Sequence, residues 1–162
     1  MSRNEDDRQD ARWVAEAVDL AVDNVTAGGG PFGALIVRDR TVLATGVNAV
    51  TTTNDPTAHA EVVAIRAACR TIGDFRLAGC VLVASCEPCP LCLAAALWAR
   101  VERVIYGADR HDAARGGFDD LAFYDLFATP RAQWPMAVTR MAVTAPAAPF
   151  AAWQANPDRV EY

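Results

Sequence analysis

Between Arg8 and Thr26 the apolar positions Trp13, Val14, Ala17, Val18, Ala21 and Val25 recur at spacings of three and four. That spacing is one face of a helix. The run Gly28-Gly29-Gly30-Pro31 stops it. The polar residues 1–7 ahead of it are expected to fray. Two apolar runs, Ala34–Val37 and Thr41–Val47, flank the polar turn Arg38-Asp39-Arg40 and predict a hairpin. Asn48–Pro56 reads as a polar loop. Asp55-Pro56-Thr57 is a helix-start signal, with Asp55 or Thr57 as cap, for a helix over His59–Thr71 that ends near Gly73.

Cys80–Ser85 is short, apolar and β-branched, which predicts a strand. Cys89–Arg100 has helical composition, and Arg103–Tyr106 reads as a further strand. Strand, helix and strand in that order imply α/β layering, with parallel pairing around the helix at 89–100. A loop follows through Gly116-Gly117, then a short helix over Leu121–Phe127. Met136–Val143 alternates weakly, as an edge strand does. Residues 130–149 are rich in proline and have the character of a hinge, ahead of a final helical stretch at Phe150–Asn156.

The length of 162 residues suits a single domain. Hydrophobic residues at 52% and charged residues at 22% exclude a disordered or collagen-like chain. Fifteen Lys and Arg against twenty Asp and Glu leave a net charge of −5, which disfavours binding to long nucleic acid. Leu91–Ala99, the longest near-apolar run, is about half of what a membrane crossing needs. The polar start lacks the apolar stretch of a secretory signal, so a cytoplasmic protein with no membrane partner is expected. An odd count of five cysteines argues against a disulfide framework. Three of them, at 86, 89 and 92, crowd together and point to a metal.

His59-Ala60-Glu61 and Pro88-Cys89-Pro90-Leu91-Cys92 both stand at predicted helix starts. Together they form the H-x-E and P-C-x-x-C pattern of zinc-dependent nucleobase and nucleoside deaminases. Cys89 and Cys92 share one face of a first helical turn, where the positive helix end favours thiolates. With His59 they make three ligands for one zinc ion and leave a fourth position open for water. Zinc in such a site lowers the pKa of that water toward about 7. Glu61, two residues beyond His59, is placed to carry the proton as a general acid–base. The pair Cys86/Cys89 is also spaced C-x-x-C, but Pro90 suits a first helical position and the signature sets proline before the first ligand. Cys86 then falls in the strand-to-helix turn beside the metal. Cys69 and Cys80 read as small apolar core residues. A structural zinc is the competing reading, with Cys86 or His111 as fourth ligand; the apolar content suffices for a core without metal and speaks against it.

Taken alone, the remaining features are ordinary. The glycine run at 28–30 is a helix stop, Asn48 a turn residue, Trp98 core, Asp119-Asp120 a cap with a solvated charge, and His111 an exposed loop residue.

Four segments carry a family resemblance: Asn54 to Glu61, Ser85 to Leu93, Trp98-Ala99-Arg100 and Gly117-Phe118-Asp119-Asp120. In these the chain resembles the bacterial guanine deaminases of the cytidine-deaminase fold, from Gly29 to the closing Glu161-Tyr162. The zinc motifs specify only the superfamily; the Gly-Phe-Asp-Asp segment and the terminal Glu-Tyr narrow it to guanine. The resemblance implies a three-layer α-β-α sandwich with a central five-stranded mixed sheet. It implies a homodimer that exchanges C-terminal segments, here about residues 146–162. It implies one zinc per subunit on His59, Cys89 and Cys92, with Glu61 as proton carrier, and a small purine as substrate. Phe32 and His59 would sandwich the purine. Asn48 and Asp120 would hydrogen-bond it, Ala60, Trp98 and Phe118 would line its pocket, and the partner's Tyr162 would cap it. Asp120 suits guanine because a carboxylate only accepts, and guanine presents an N–H at N1 where adenine presents an acceptor. The implied reaction is hydrolysis of guanine to xanthine and ammonia. Deamination of another base or nucleoside, such as cytosine, guanosine or adenosine in transfer RNA, is the alternative within enzymes.

Overall fold

The computed structural model describes residues 3–161. The chain divides into two compact units, Met1–Phe127 and Ala128–Tyr162. In the first unit, helix α1 (Arg3–Thr26) begins at Arg3 rather than Arg8, so it includes residues expected to fray. The hairpin β1 (Gly33–Arg38) and β2 (Thr41–Val47) forms as the sequence implies. Its turn holds Asp39 and Arg40 at positive φ, the backbone that matches the twist of a tight hairpin.

Three further elements carry the site. Helix α3 (Ala60–Ile72) ends at Gly73 in the left-handed region, strand β3 is Val81–Cys86, and helix α4 is Pro90–Trp98. Strand β4 (Arg103–Ala108) closes the sheet, whose order is β2-β1-β3-β4. β1 runs antiparallel to both β2 and β3, and β3 pairs parallel with β4 across α4.

Strand alternation builds two cores. Ala34, Ile36 and Leu82 face α3 with Ala64, Ile65 and Ala68. Leu35, Val37 and Val83 face the opposite way, onto Trp13 and Ala17 of α1. Helices therefore cover both faces, which explains why β1 and β3 read as continuous apolar runs. Close packing sets the height of α3: a Cβ on Gly46 would lie 2.2 Å from the Ala60 carbonyl oxygen.

Several expectations are corrected. The sheet has four strands among the described residues, not five. Met136–Val143 joins no ladder; its alternation is weak and no strand supplies its hydrogen bonds. The loop at 48–56 contains a single helical turn, α2 (Val50–Thr53). The loop at 107–117 contains α5 (Arg110–Arg115), begun by an Asp109 capping box that sequence reading passed over. Helix α6 is Asp120–Phe127. The second unit holds a 3₁₀ turn (Arg131–Gln133) and helix α7 (Ala148–Ala155).

Candidate active site

Neither Asp55 nor Thr57 caps α3. The Asp55 carboxylate instead accepts from the Thr57 backbone N–H at 2.8 Å, closing a turn, and His59 takes the cap position with extended backbone. Cys89 does the same for α4, with Pro90 in its first turn. Both caps leave their side chains free of the helix N–H groups. The two helix starts thus turn His59, Cys89 and Cys92 toward one point.

His59 Nδ1 lies 3.5 Å from each of the Cys89 and Cys92 sulfurs, and the sulfurs lie 3.6 Å apart. A tetrahedral ion with bonds of about 2.3 Å to sulfur and 2.0–2.1 Å to nitrogen sets its ligand atoms roughly 3.5–3.8 Å apart. The cluster therefore fits zinc, and among the described residues it is the one group of metal-ligating side chains brought together in this way. Cys86 does not join it: at the end of β3 its sulfur faces the Asp109 carbonyl oxygen at 3.5 Å, and burial pushes its thiol up to about 11. His111 stays exposed on α5. Neither supplies a fourth ligand. Cys80 is buried in the core and Cys69 packs at its margin.

The electrostatics suit anionic sulfur. The Cys89 thiol falls to about 4, because Cys92 and then His59 donate hydrogen bonds to it against the cost of burial. Cys92, as donor to that thiolate and deeply buried, moves up. The same bond to Cys89 raises His59. Glu61 is buried beside the cluster but outside it, and burial is the main cause that raises its carboxyl.

The cluster opens into a cavity of about 890 Å³. Phe32, Asn48, His59, Glu61, Cys89, Phe118 and Asp120 all line it. Phe32 and Phe118 meet edge to face, with centroids 4.8 Å apart. Asp120 is half-buried, and burial, then the neighbouring Cys89, raises its carboxyl. Asn48 Oδ1 accepts from the Val50 N–H at 3.3 Å. Gly30 is tight against it: a Cβ there would lie 2.8 Å from Asn48 Oδ1, so the glycine run is more than a helix stop. Ala60 is fully buried, with its methyl in the core.

One resemblance-based position stands away from this cavity. Trp98 is neither core nor cavity wall; it ends α4, is 61% exposed and lies beside the Arg100 guanidinium. Six residues separate it from Cys92, roughly 9 Å along a helix axis. Tyr162 lies outside the described residues.

Sequence reading missed several lining or supporting residues. Glu87 lines the cavity and pairs with Arg110. Phe123 and Phe127, on α6, add apolar wall. Asn24, near the end of α1, donates to the Gly30 and Asn48 carbonyls, both at 2.8 Å. Asp120 and Tyr124 stand four residues apart, one turn along α6, a local signal that they share a face.

Residues 7–108 match the cytidine and deoxycytidylate deaminase zinc-binding region. Guanine deaminase of Bacillus subtilis is 47% identical over 151 residues, 93% of this chain and 97% of that protein. A crystal structure of guanine deaminase from the same species superposes with a TM-score of 0.90 at 44% identity, covering 100% of this chain and 99% of the other. The guanine deaminase structure from Nitrosomonas europaea gives a TM-score of 0.63 at 31% identity, over 67% of this chain and 63% of that one. A tRNA-specific adenosine deaminase of Buchnera aphidicola is 34% identical over 118 residues, 73% of this chain and 78% of that protein. The chain belongs to the zinc-binding cytidine and deoxycytidylate deaminase family and, within it, to the guanine deaminases.

Proposed function

We propose that this enzyme hydrolyses guanine to xanthine and ammonia. The carrying observation is that the ligand cluster, buried Glu61 and Asp120 converge on one cavity. His59 Nδ1 and the Cys89 and Cys92 sulfurs would hold one zinc ion, which supplies Lewis-acid activation of water for attack at the amino-bearing carbon. Glu61 would take one proton from the attacking water and pass it to the ring nitrogen, then take the second from the hydroxyl now on that carbon and pass it to the 2-amino group, which leaves as ammonia. Burial raises its carboxyl, which favours handing back a proton it has accepted.

Asp120 accepts from the purine N–H groups, and Asn48 hydrogen-bonds the ring from the other side. Phe32, Phe118 and the His59 imidazole bracket its faces. Ala60 contributes through its backbone, since its methyl belongs to the core. At about 890 Å³ the cavity is near the upper end of small-molecule sites and leaves room for a cap. We assign that cap to Tyr162 of a second subunit. Residues of the second unit support such an exchange: Met136, Met141, Val143 and Phe150 are all more than half exposed, an apolar surface that association would cover. Free cysteines suit the reducing cytoplasm. Among the described residues no helix is long and apolar enough to cross a membrane.

Ammonia release from guanine, guanosine, cytosine, cytidine, adenine and adenosine tests the reading. Guanine is expected to lead; preference for cytosine or a nucleoside overturns it. Light scattering is expected to give a dimer, and a monomer with full activity removes the capping role of Tyr162.

A further inference from the structure

Helix α6 carries Asp120 and the apolar residues Phe123 and Phe127 into the cavity wall, yet none of its residues is buried. Core packing does not fix its position. On its N-terminal side stand Gly116 and Gly117, the latter at φ +91°. What ties α6 to the metal ligands is a chain of polar contacts. The Glu87 N–H donates to the Ala108 carbonyl at 2.9 Å, anchoring the residue two before Cys89 to the end of β4. The Glu87 carboxylate accepts from the Arg110 backbone N–H at 3.1 Å and from its Nε at 3.0 Å, and pairs with Nη2 as well. The Arg110 guanidinium lies 3.6 Å from the centroid of the Tyr124 ring. The Tyr124 hydroxyl donates to the Pro88 carbonyl, immediately before Cys89. Tyr124 stands four residues after Asp120, one helical turn along the same face of α6.

We propose that Arg110 and Tyr124 are positioning residues, which clamp α6 to the Glu87-Pro88 loop and so set the Asp120 carboxylate in register with the zinc ligands. The clamp rests on the reading of Asp120 as the carboxylate that holds guanine. It joins the residue that selects the base to the residues that hold the metal. Both termini of the clamp are short: Pro88 adjoins a ligand, and Tyr124 is one turn from Asp120. A loosened clamp lets Asp120 drift without disturbing His59, Cys89 or Cys92, which hang from α3 and α4.

The test is a double-mutant cycle on the zinc-loaded, full-length enzyme, using Tyr124→Phe and Asp120→Asn. Tyr124→Phe removes only the hydroxyl. It is expected to lower kcat/KM for guanine about three- to ten-fold, the weight of one neutral hydrogen bond, with the loss in KM and zinc content unchanged. In the Asp120→Asn background the same substitution is expected to cost less than about two-fold, because the group it registers is already impaired. Arg110→Lys keeps the charge but loses the fork and the stacked plane, and should show the same non-additivity. Equal losses in both backgrounds, no loss, or loss of zinc overturns the clamp. Wild-type turnover of guanine controls for the substrate reading. If it fails, that reading falls, and the cycle is run on whichever base the wild type deaminates; coupling there still decides the clamp.

Discussion

The two sides of the cavity are built on different principles. The metal side hangs from first turns that are part of the core: Ala60 and Cys92 are fully buried, Glu61 and Cys89 nearly so. The facing side is α6, none of whose residues is buried, with Phe127 60% exposed. The groups proposed to react are thus locked by packing, whereas Asp120, proposed to meet the base, rides on a helix held by a few polar contacts. Pre-organisation matters most where charge moves in the reaction. Selection of the base tolerates a less rigid support.

Metal removal breaks the comparison most severely. Chelation is expected to abolish turnover while leaving far-UV circular dichroism native, since the core around Ile36, Leu77 and Leu82 is complete without the ligand cluster. Added zinc should restore activity. Unfolding on chelation would make the metal structural and erase the distinction between the two sides. Glu61→Gln comes next. It is expected to keep zinc and fold and to lower kcat about 10²–10⁴-fold, the usual weight of general acid–base catalysis. A normal rate in that variant would show that another group moves the proton.

Asp120→Asn probes the exposed side and should cost less. Presenting the wrong partner to a buried donor costs roughly 1–3 kcal/mol, or about 5- to 160-fold in kcat/KM. The pH dependence sharpens this. Burial raises the Asp120 carboxyl, and only its ionised form is acceptor-only. Wild-type kcat/KM should therefore be held above that raised pKa and lost as pH falls through it, earlier than an exposed aspartate would require. The Asn variant should lack that limb. An identical acid limb in both enzymes assigns it to another group.

The same division governs how much was legible in the sequence. His59, Glu61, Cys89 and Cys92 sit within two short motifs at helix starts, so local spacing already places them. The hairpin and the parallel β3–β4 pair follow from period and order. The exposed side was harder to read. Arg110 meets Glu87 23 positions away, and Tyr124 meets Pro88 36 positions away; no periodicity encodes such pairs. Family likeness brought Trp98 to the pocket, but helical rise carries it away from Cys92. The fifth strand failed for the reason that strands are not local objects. Met136–Val143 has some alternation, yet without a neighbouring ladder alternation does not make a strand.

The smallest effect is expected at Asn24, where the two sides can be compared through a residue that touches neither metal nor base. Its side-chain amide bridges the Gly30 and Asn48 carbonyls, and so ties the glycine run to the end of β2. Asn48 reaches the cavity from that junction, its side chain accepting from the Val50 N–H and its backbone N–H donating to the Phe32 carbonyl. Asn24→Ala removes both donors but leaves the α1 core residues Trp13 and Ala17 in place. Two net hydrogen bonds would weigh about 1–3 kcal/mol if fully lost. Both carbonyls are only half-buried, so water replaces much of that. The expected result is a two- to five-fold rise in KM for guanine with kcat and zinc content unchanged. A fall in kcat with KM constant would mean that Asn48 acts on the transition state rather than on binding, and would move it to the rigid, reactive side of the cavity.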